Sequence, residues 1–363
     1  MKKNILVIDD SALMRRVLSD IINSDDRFRV TEIALNGLEG LYILQTRGKE
    51  FDAVLLDINM PKMNGIELLA ELKEQNIKAT VIVVSTIAKK AARETIRALE
   101  LGAFDFVTKP ESYLEVKSNY FSDRILECLT TATKAEHKDD NETTPEKAER
   151  VTKPVGEATS KRALTQLPQS ANKLIALACS TGGPKALHTV VPNLPGNLDA
   201  SVLIVQHMPG GFTKSLADRL NELSPLTVKE AEDGDILEKG TVYIAKGGYQ
   251  MRLIKQDARS YRISITQEPA RHGLLPCADV MYESLVDTKF DQITCVVLTG
   301  MGGDGTAGIS QLTKKQNVYV IAQNEETSIV YGMPKVIKDA GLVDEVVALN
   351  EVSNAITKNV GVR

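Results

Sequence analysis

The sequence predicts an α/β protein made of two domains, each a doubly wound parallel sheet. Three observations carry that prediction. From the start to about residue 130, short apolar runs rich in Val and Ile alternate with amphipathic stretches, the pattern of parallel strands covered by helices on both faces. The alternation stops in a segment rich in Lys, Glu, Thr and Pro, from about 134 to 169. It resumes at about 172. The expected boundaries are therefore a first domain at 1–130, a linker at 131–171 and a second domain at 172–363. A length of 363 residues also suggests about two domains.

The first five strands are read as NILVI (4–8), FRVTEIA (28–34), AVLLD (53–57), TVIVVS (80–85) and FDFVT (104–108). Helical patterns such as SALMRRVLSDII and GIELLAELKEQ lie between them. Five strands and about five helices fit a flavodoxin-like domain. The linker has no aromatic residue and cannot bury enough apolar surface to offset its ordering entropy. One marginal helix is expected there, around Pro145–Arg150. The second domain reads as a Rossmann-like α/β sheet with strands KLIALAC (173–179), SVLIVQ (201–206), TVYIA (241–245), ITCVVLT (293–299) and VYVIAQ (318–323). Between 226 and 268 the pattern changes. Gly247-Gly248 separates TVYIAK from YQMRLI, and YRISIT follows, which predicts an insertion of antiparallel hairpins.

Bulk composition narrows the function classes. Hydrophobic residues make up 43% and charged residues 25%, as in ordinary globular proteins. The net charge of −4 with no long basic block argues against nucleic acid, whose phosphates need clustered Lys and Arg. Cys128, Cys179, Cys277 and Cys295 form no C-x-x-C pair, which fits a reducing compartment. In MKKNILVIDD the apolar run ends at Asp9, too soon for a signal peptide, and no stretch approaches the roughly 18 apolar residues of a membrane span. A cytoplasmic monomer without membrane insertion is expected.

Asp9 and Asp10 close the first predicted strand, Asp57 the third and Ser85-Thr86 the fourth; Lys109 follows the fifth, just before Pro110. In an open parallel sheet these ends share the edge where ligands bind. Three carboxylates together repel one another unless a cation joins them, and an all-oxygen donor set suits Mg²⁺. Metal, ammonium and hydroxyl could all meet a phosphoryl group carried by a carboxylate. The competing reading is a row of solvated strand-end acids.

A second set lies in the other domain. Ser180 sits in LIALACSTGGPKAL, between a strand and a helix with Pro184 near its start. His207 in VLIVQHMPGGF and Asp304 in VVLTGMGGDGTAG occupy similar junctions. Parallel strands would bring all three to one edge. Serine would attack, histidine would take and return the proton, and aspartate would orient the imidazole. Free helix-start amides suit an oxyanion. The chain order Ser-His-Asp is neither the protease nor the α/β-hydrolase order. His188 and His272 are rival histidines. Cys179 is a rival nucleophile, although strand alternation turns it away from Ser180 and makes it a small buried hydrophobe. GMGGDG (300–305) also satisfies G-x-G-x-x-G, with Glu325 twenty residues on, so dinucleotide binding competes for that turn. Against it, Asp304 would repel a pyrophosphate.

These motifs resemble two known families. DD (9–10), LLDINMPKMNG (55–65), VVST (83–86) and TKP (108–110) resemble a two-component receiver domain. The resemblance implies phosphorylation of Asp57 by a histidine kinase, that of a chemotaxis system when taken together with the second resemblance. It also implies Mg²⁺ on Asp10, Asp57 and the Asn59 carbonyl with Asp9 assisting, Lys109 on the phosphoryl group, and Ser85 as the switch hydroxyl with Thr86 following. CSTGGP (179–184), QHMPGGFTKSLADRLN (206–221), LTGMGGDGTAG (298–308) and YGMPK (331–335) resemble the catalytic domain of the chemotaxis protein-glutamate methylesterase/glutamine deamidase (CheB) family. That resemblance implies Ser180, His207 and Asp304 as the triad, the Met301 amide as an oxyanion donor and Thr181 as a supporting hydroxyl. It implies no cofactor for the esterase and methyl-accepting chemoreceptors as substrates. Cys179 and Cys277 depart from the family pattern of a small residue and a serine; the first is expected to alter packing and the second substrate contacts. The tether of about 35 residues keeps the receiver at high effective concentration near the catalytic domain. An unphosphorylated receiver that covers the catalytic mouth is therefore expected.

Overall fold

The computed structural model describes residues 2–110, 119–134, 171–257 and 260–363, which fall in two compact units. The helix expected around Pro145–Arg150 lies outside the described residues.

In the first unit β1 (Lys3–Ile8), β2 (Phe28–Ala34), β3 (Ala53–Asp57), β4 (Val81–Ser85) and β5 (Asp105–Thr108) form one parallel sheet in the order β2-β1-β3-β4-β5. This is the flavodoxin-like order, with its switch point between β1 and β3. Ile5, Leu6, Val7 and Ile8 are all fully buried, because helices cover both faces. Ile5 and Val7 share a core with Leu18 and Ile22 of α1 (Ala12–Ser24) and with Phe121 and Ile125 of α5 (Asn119–Thr133). On the other face Gly40 of α2 (Gly37–Arg47) packs so closely on Ile8 that a Cβ would overlap its side chain. The helix starts are locally encoded. Asn64 before α3 (Gly65–Glu74) makes a reciprocal capping box with Glu67, and Ser11 and Asn36 cap α1 and α2. A further helix, α4, spans Lys89–Leu101 between β4 and β5 in the chain.

The second unit holds a seven-stranded, wholly parallel sheet in the order β14-β13-β12-β6-β7-β9-β8. Its strands are β6 (Lys173–Cys179), β7 (Ser201–Gln206), β8 (Thr227–Glu230), β9 (Thr241–Ile244), β12 (Gln292–Val297), β13 (Val318–Gln323) and β14 (Glu345–Val347). Every residue of β6, β7 and β12 is buried, which explains their nearly continuous apolar runs. The helices are α6 (Gly183–Val190), α7 (Phe212–Leu223), α8 (Ala278–Ser284), α9 (Thr306–Leu312), α10 (Met333–Asp339) and α11 (Val352–Val360). Met281 and Tyr282 of α8, Ile309 of α9 and Ile337 of α10 share one core with the inner residues of β6 and β12.

The antiparallel insertion is smaller than the sequence suggested. β10 (Gln250–Lys255) and β11 (Tyr261–Thr266) do form an antiparallel pair. β9 does not pair with β10 across Gly247-Gly248; it joins the main sheet, parallel to both β7 and β8. Its residues TVYI are buried throughout, so it has the character of an inner strand. The Gly-Gly turn connects two different sheets.

Candidate active site

The acidic set assembles at the carboxyl edge of the first sheet. Register pairs Ile8 with Leu56, Asp57 with Val84 and Ser85 with Thr108, so the residues that follow lie side by side. Carboxylate oxygens of Asp9, Asp10 and Asp57 fall within 4.8 Å of one another. Lys109 Nζ bridges two of them, 2.9 Å from Asp9 Oδ2 and 2.9 Å from Asp57 Oδ2. Burial and the charge of Asp9 push the Asp57 carboxyl up, against the pull of Lys109. Burial works against the charged form of Lys109, but Asp57 and Asp9 outweigh it and raise the ammonium above its ordinary value. One ammonium among three carboxylates leaves negative charge uncompensated, and the donors are all oxygen. That set fits a hard divalent cation such as Mg²⁺. Ser85 is buried at the end of β4, with Oγ 3.5 Å from the Thr86 carbonyl. Thr86 and Asn59 are exposed.

In the second unit β6 lies between β7 and β12, so the order of the parallel strands reverses beside it, at the edge where ligands bind in such sheets. Backbone hydrogen bonds continue past the strands there. His207 N donates to Cys179 O (3.2 Å), Leu298 N to Ala178 O (3.0 Å) and Ser180 N to Thr299 O (3.0 Å). Ser180 is thereby fixed between the turn that carries His207 and the turn that carries Asp304. Close packing reinforces this, since a Cβ on Gly300 would stand 2.8 Å from Ser180 Cβ and 3.0 Å from its amide nitrogen.

His207 Nε2 lies 2.8 Å from Asp304 Oδ2, and both side chains are largely buried. This leaves Nδ1 as the nitrogen available to a nucleophile. The carboxylate is held from several sides. Oδ2 also accepts the Ala278 amide (2.6 Å), and Oδ1 accepts the amides of Asp279 (3.0 Å) and Gly305 (2.9 Å) and the Cys277 thiol (3.1 Å). Two of these amides open α8, so Asp304 also caps that helix from outside. Burial would raise this carboxyl, but the His207 ring and the two amides outweigh it and hold it at about 2.

The rival residues are placed elsewhere. His188 Nδ1 lies 2.7 Å from the Pro184 carbonyl of its own helix. His272 is exposed in a turn with φ 54°. Cys179 is completely buried; its thiol donates to Gln206 Oε1 at 3.0 Å, and burial pushes it above its ordinary value, so it lacks thiolate character. It does more than pack. Cys277, expected at the substrate, is 1% exposed and turns to Asp304 instead, because α8 starts against that carboxylate. The glycine turn at 300–305 gives its Gly305 amide to Asp304 rather than leaving it for a phosphate.

Sequence reasoning missed two positions. Gln206, 1% exposed, donates through Nε2 to both the Ser180 carbonyl (3.0 Å) and the His207 carbonyl (3.1 Å). Thr299 donates through Oγ1 to the Thr181 carbonyl (3.0 Å) and accepts the Val330 amide (2.9 Å), while its own amide goes to Gln323 Oε1 (2.8 Å). The signal available was a polar residue ending a fully apolar strand run, since a buried amide or hydroxyl there needs partners.

Each unit matches a known protein family. The response regulator receiver domain family matches residues 5–119 and the CheB methylesterase family matches residues 175–356. A protein-glutamate methylesterase/protein-glutamine glutaminase of Halalkalibacterium halodurans is 40% identical over 98% of this chain and 97% of its own. Another, from Bacillus subtilis, is 37% identical over 97% of each chain. The crystal structure of the Thermotoga maritima CheB methylesterase catalytic domain is 37% identical, covers 52% of this chain and 98% of its own, and has a TM-score of 0.50. With this similarity along nearly its whole length, the chain belongs to the CheB family of protein-glutamate methylesterases/protein-glutamine glutaminases.

Proposed function

We propose that residues 172–363 form a serine hydrolase that a receiver at 1–130 switches on when Asp57 is phosphorylated by a chemotaxis kinase, with 131–171 as the tether. The enzyme demethylates glutamate methyl esters and deamidates glutamines on chemoreceptors. The contact of His207 Nε2 with Asp304 Oδ2 at 2.8 Å, beside the strand end that carries Ser180, is the observation that carries this reading.

Ser180 Oγ attacks the ester carbonyl carbon while His207 Nδ1 takes its proton. Asp304, ionised and fixed by its donors, stabilises the imidazolium through Nε2. The tetrahedral oxyanion is stabilised by the Met301 amide, with Thr181 in support. Collapse breaks the bond to the methoxy oxygen, which leaves as methanol with the proton from His207. Water then attacks the acyl-serine carbonyl, His207 takes the water proton and returns it to Ser180, and glutamate is released. With a glutamine substrate the first leaving group is ammonia. In the receiver, Asp9, Asp10, Asp57 and the Asn59 carbonyl would hold Mg²⁺, which supplies charge neutralisation during phosphoryl transfer. Lys109 meets the phosphoryl oxygens, and Ser85 responds to them with Thr86 beside it.

Methanol release from methylated receptor membranes tests the nucleophile. Ser180→Ala is expected to lower it to background, whereas Cys179→Ala keeps more than about a tenth of the wild-type rate, because its thiol contributes only one buried hydrogen bond of about 1 kcal/mol. Full activity in Ser180→Ala would refute the assignment. Gly300→Ala checks the positioning of the serine. Its methyl group would overlap Met333 Sδ and stand 2.8 Å from Ser180 Cβ, and a displacement of the serine near 1 Å is expected to lower kcat by about 100-fold. An unchanged kcat would show that the close approach has no catalytic role.

A further inference from the structure

We propose that Cys277 is a positioning residue, whose thiol sets how strongly Asp304 holds the charged form of His207. The inference rests on the triad reading above.

Cys277 immediately precedes α8, where a residue normally turns its side chain to its own helix amides. It makes no such cap bond. Asp304 takes the amides of Ala278 and Asp279 instead, and Cys277 Sγ donates to Asp304 Oδ1 at 3.1 Å. The backbone holds the cysteine in place, with its amide 2.8 Å from Oε1 of Gln250, itself 1% exposed. Burial and the neighbouring Asp304 charge push the thiol up to about 12, so it stays protonated and acts as a donor at all working pH values.

Of the donors to Asp304, three are backbone amides whose strength no side-chain substitution alters. Among the described residues the side-chain donors are His207 and Cys277. A thiol is a weak donor and leaves most of the carboxylate charge for the imidazole. Removing it makes Asp304 a stronger acceptor, which stabilises the imidazolium. A hydroxyl has the opposite effect, because it competes better for the same carboxylate. The other titratable groups around Asp304 are Asp279, whose Oδ1 takes the Gly308 amide (2.7 Å), Tyr282, whose hydroxyl donates to the Ala176 carbonyl (3.1 Å), and the Arg271–Glu283 pair. Among the described residues the thiol donates to Asp304 and to none of these groups, and the neutral thiol carries no charge to change around Arg271, so a shift reports on the thiol's bond to Asp304.

The experiment measures kcat/KM for methanol release against pH in the full-length protein, as wild type, Cys277→Ala and Cys277→Ser, with Ser180→Ala as reference. One weak hydrogen bond corresponds to about half a pH unit. The midpoint of the acid limb is expected to rise by about that amount in Cys277→Ala and to fall in Cys277→Ser, with KM unchanged because Cys277 is buried away from substrate. If Cys277→Ala does not fold, the low-field proton resonance of the His207–Asp304 hydrogen bond is compared between wild type and the nearly isosteric Cys277→Ser, where a change is expected. Acid limbs that coincide in all folded variants, an unchanged resonance, or a KM effect alone would overturn the inference while an inactive Ser180→Ala leaves the triad reading standing. An active Ser180→Ala would overturn both.

Discussion

Asp304→Asn is expected to lower kcat by about 10⁴-fold with little change in KM, the loss seen when the corresponding acceptor is removed from a Ser-His-Asp protease. Asparagine offers one acceptor oxygen where the carboxylate serves His207, Cys277 and three amides. Its amide group must then face either those backbone donors or the Nε2–H of His207, and it favours the wrong imidazole tautomer. The pH dependence has a definite sign. Asp304 is held at about 2 against an ordinary 3.8, so its ionic contribution to stability is complete above about 3.8 and is lost as pH falls through about 2. A decline in activity between pH 6 and 4 is therefore not expected from Asp304. Acid unfolding curves of wild type and Asp304→Asn should converge towards pH 2. Curves that remain equally far apart there would contradict the assigned charge, and a kcat within tenfold of wild type would contradict the role.

Asp57→Ala is expected to abolish activation by acetyl phosphate while leaving the basal esterase intact. Asp57 and Asp9 share the Lys109 ammonium at 2.9 Å each. A phosphoryl group on Asp57 would bring further negative charge and oxygen acceptors to that ammonium, and so would bias the receiver between two states. A regulatory coupling of about 1–3 kcal/mol corresponds to roughly 5–150-fold in rate, which the alanine variant loses. Removing residues 1–140 is expected to raise the activity of the unphosphorylated enzyme, the outcome that distinguishes a receiver that restrains the catalytic domain until Asp57 is phosphorylated. A fragment no more active than the unphosphorylated full-length protein would argue against restraint.

The parts of this architecture that could be read from sequence are those in which each residue reports its own surroundings. β1, β3, β6, β7 and β12 are buried on both faces, so their apolar runs stand out. Asp9, Asp57, Ser180 and His207 immediately end or follow such runs, and parallel order alone brings them to the sheet edges. The meeting of His207 with Asp304 follows from the same order. What escaped depends on partners distant in sequence. β8 and β14 are short, half-exposed edge strands without an apolar run. β9 looked like one arm of a hairpin because Gly247-Gly248 is strong local turn chemistry, yet its pairing with β7 is non-local. Cys277 lies 27 residues from Asp304, and nothing near it in sequence announces that α8 begins against that carboxylate. Gln206 carried a local signal, a polar end to an apolar strand, but its bonds to Ser180 and His207 become evident only once the strand ends are side by side.

The central claim is that phosphorylation at one sheet edge controls serine-dependent ester hydrolysis at another. The most direct test is methanol release from methylated receptor membranes by the full-length protein with Mg²⁺, with and without acetyl phosphate, using Ser180→Ala as the blank. The account predicts release that acetyl phosphate raises at least about fivefold and that falls to background in Ser180→Ala under both conditions. Release that ignores acetyl phosphate, or persists in Ser180→Ala, would contradict it.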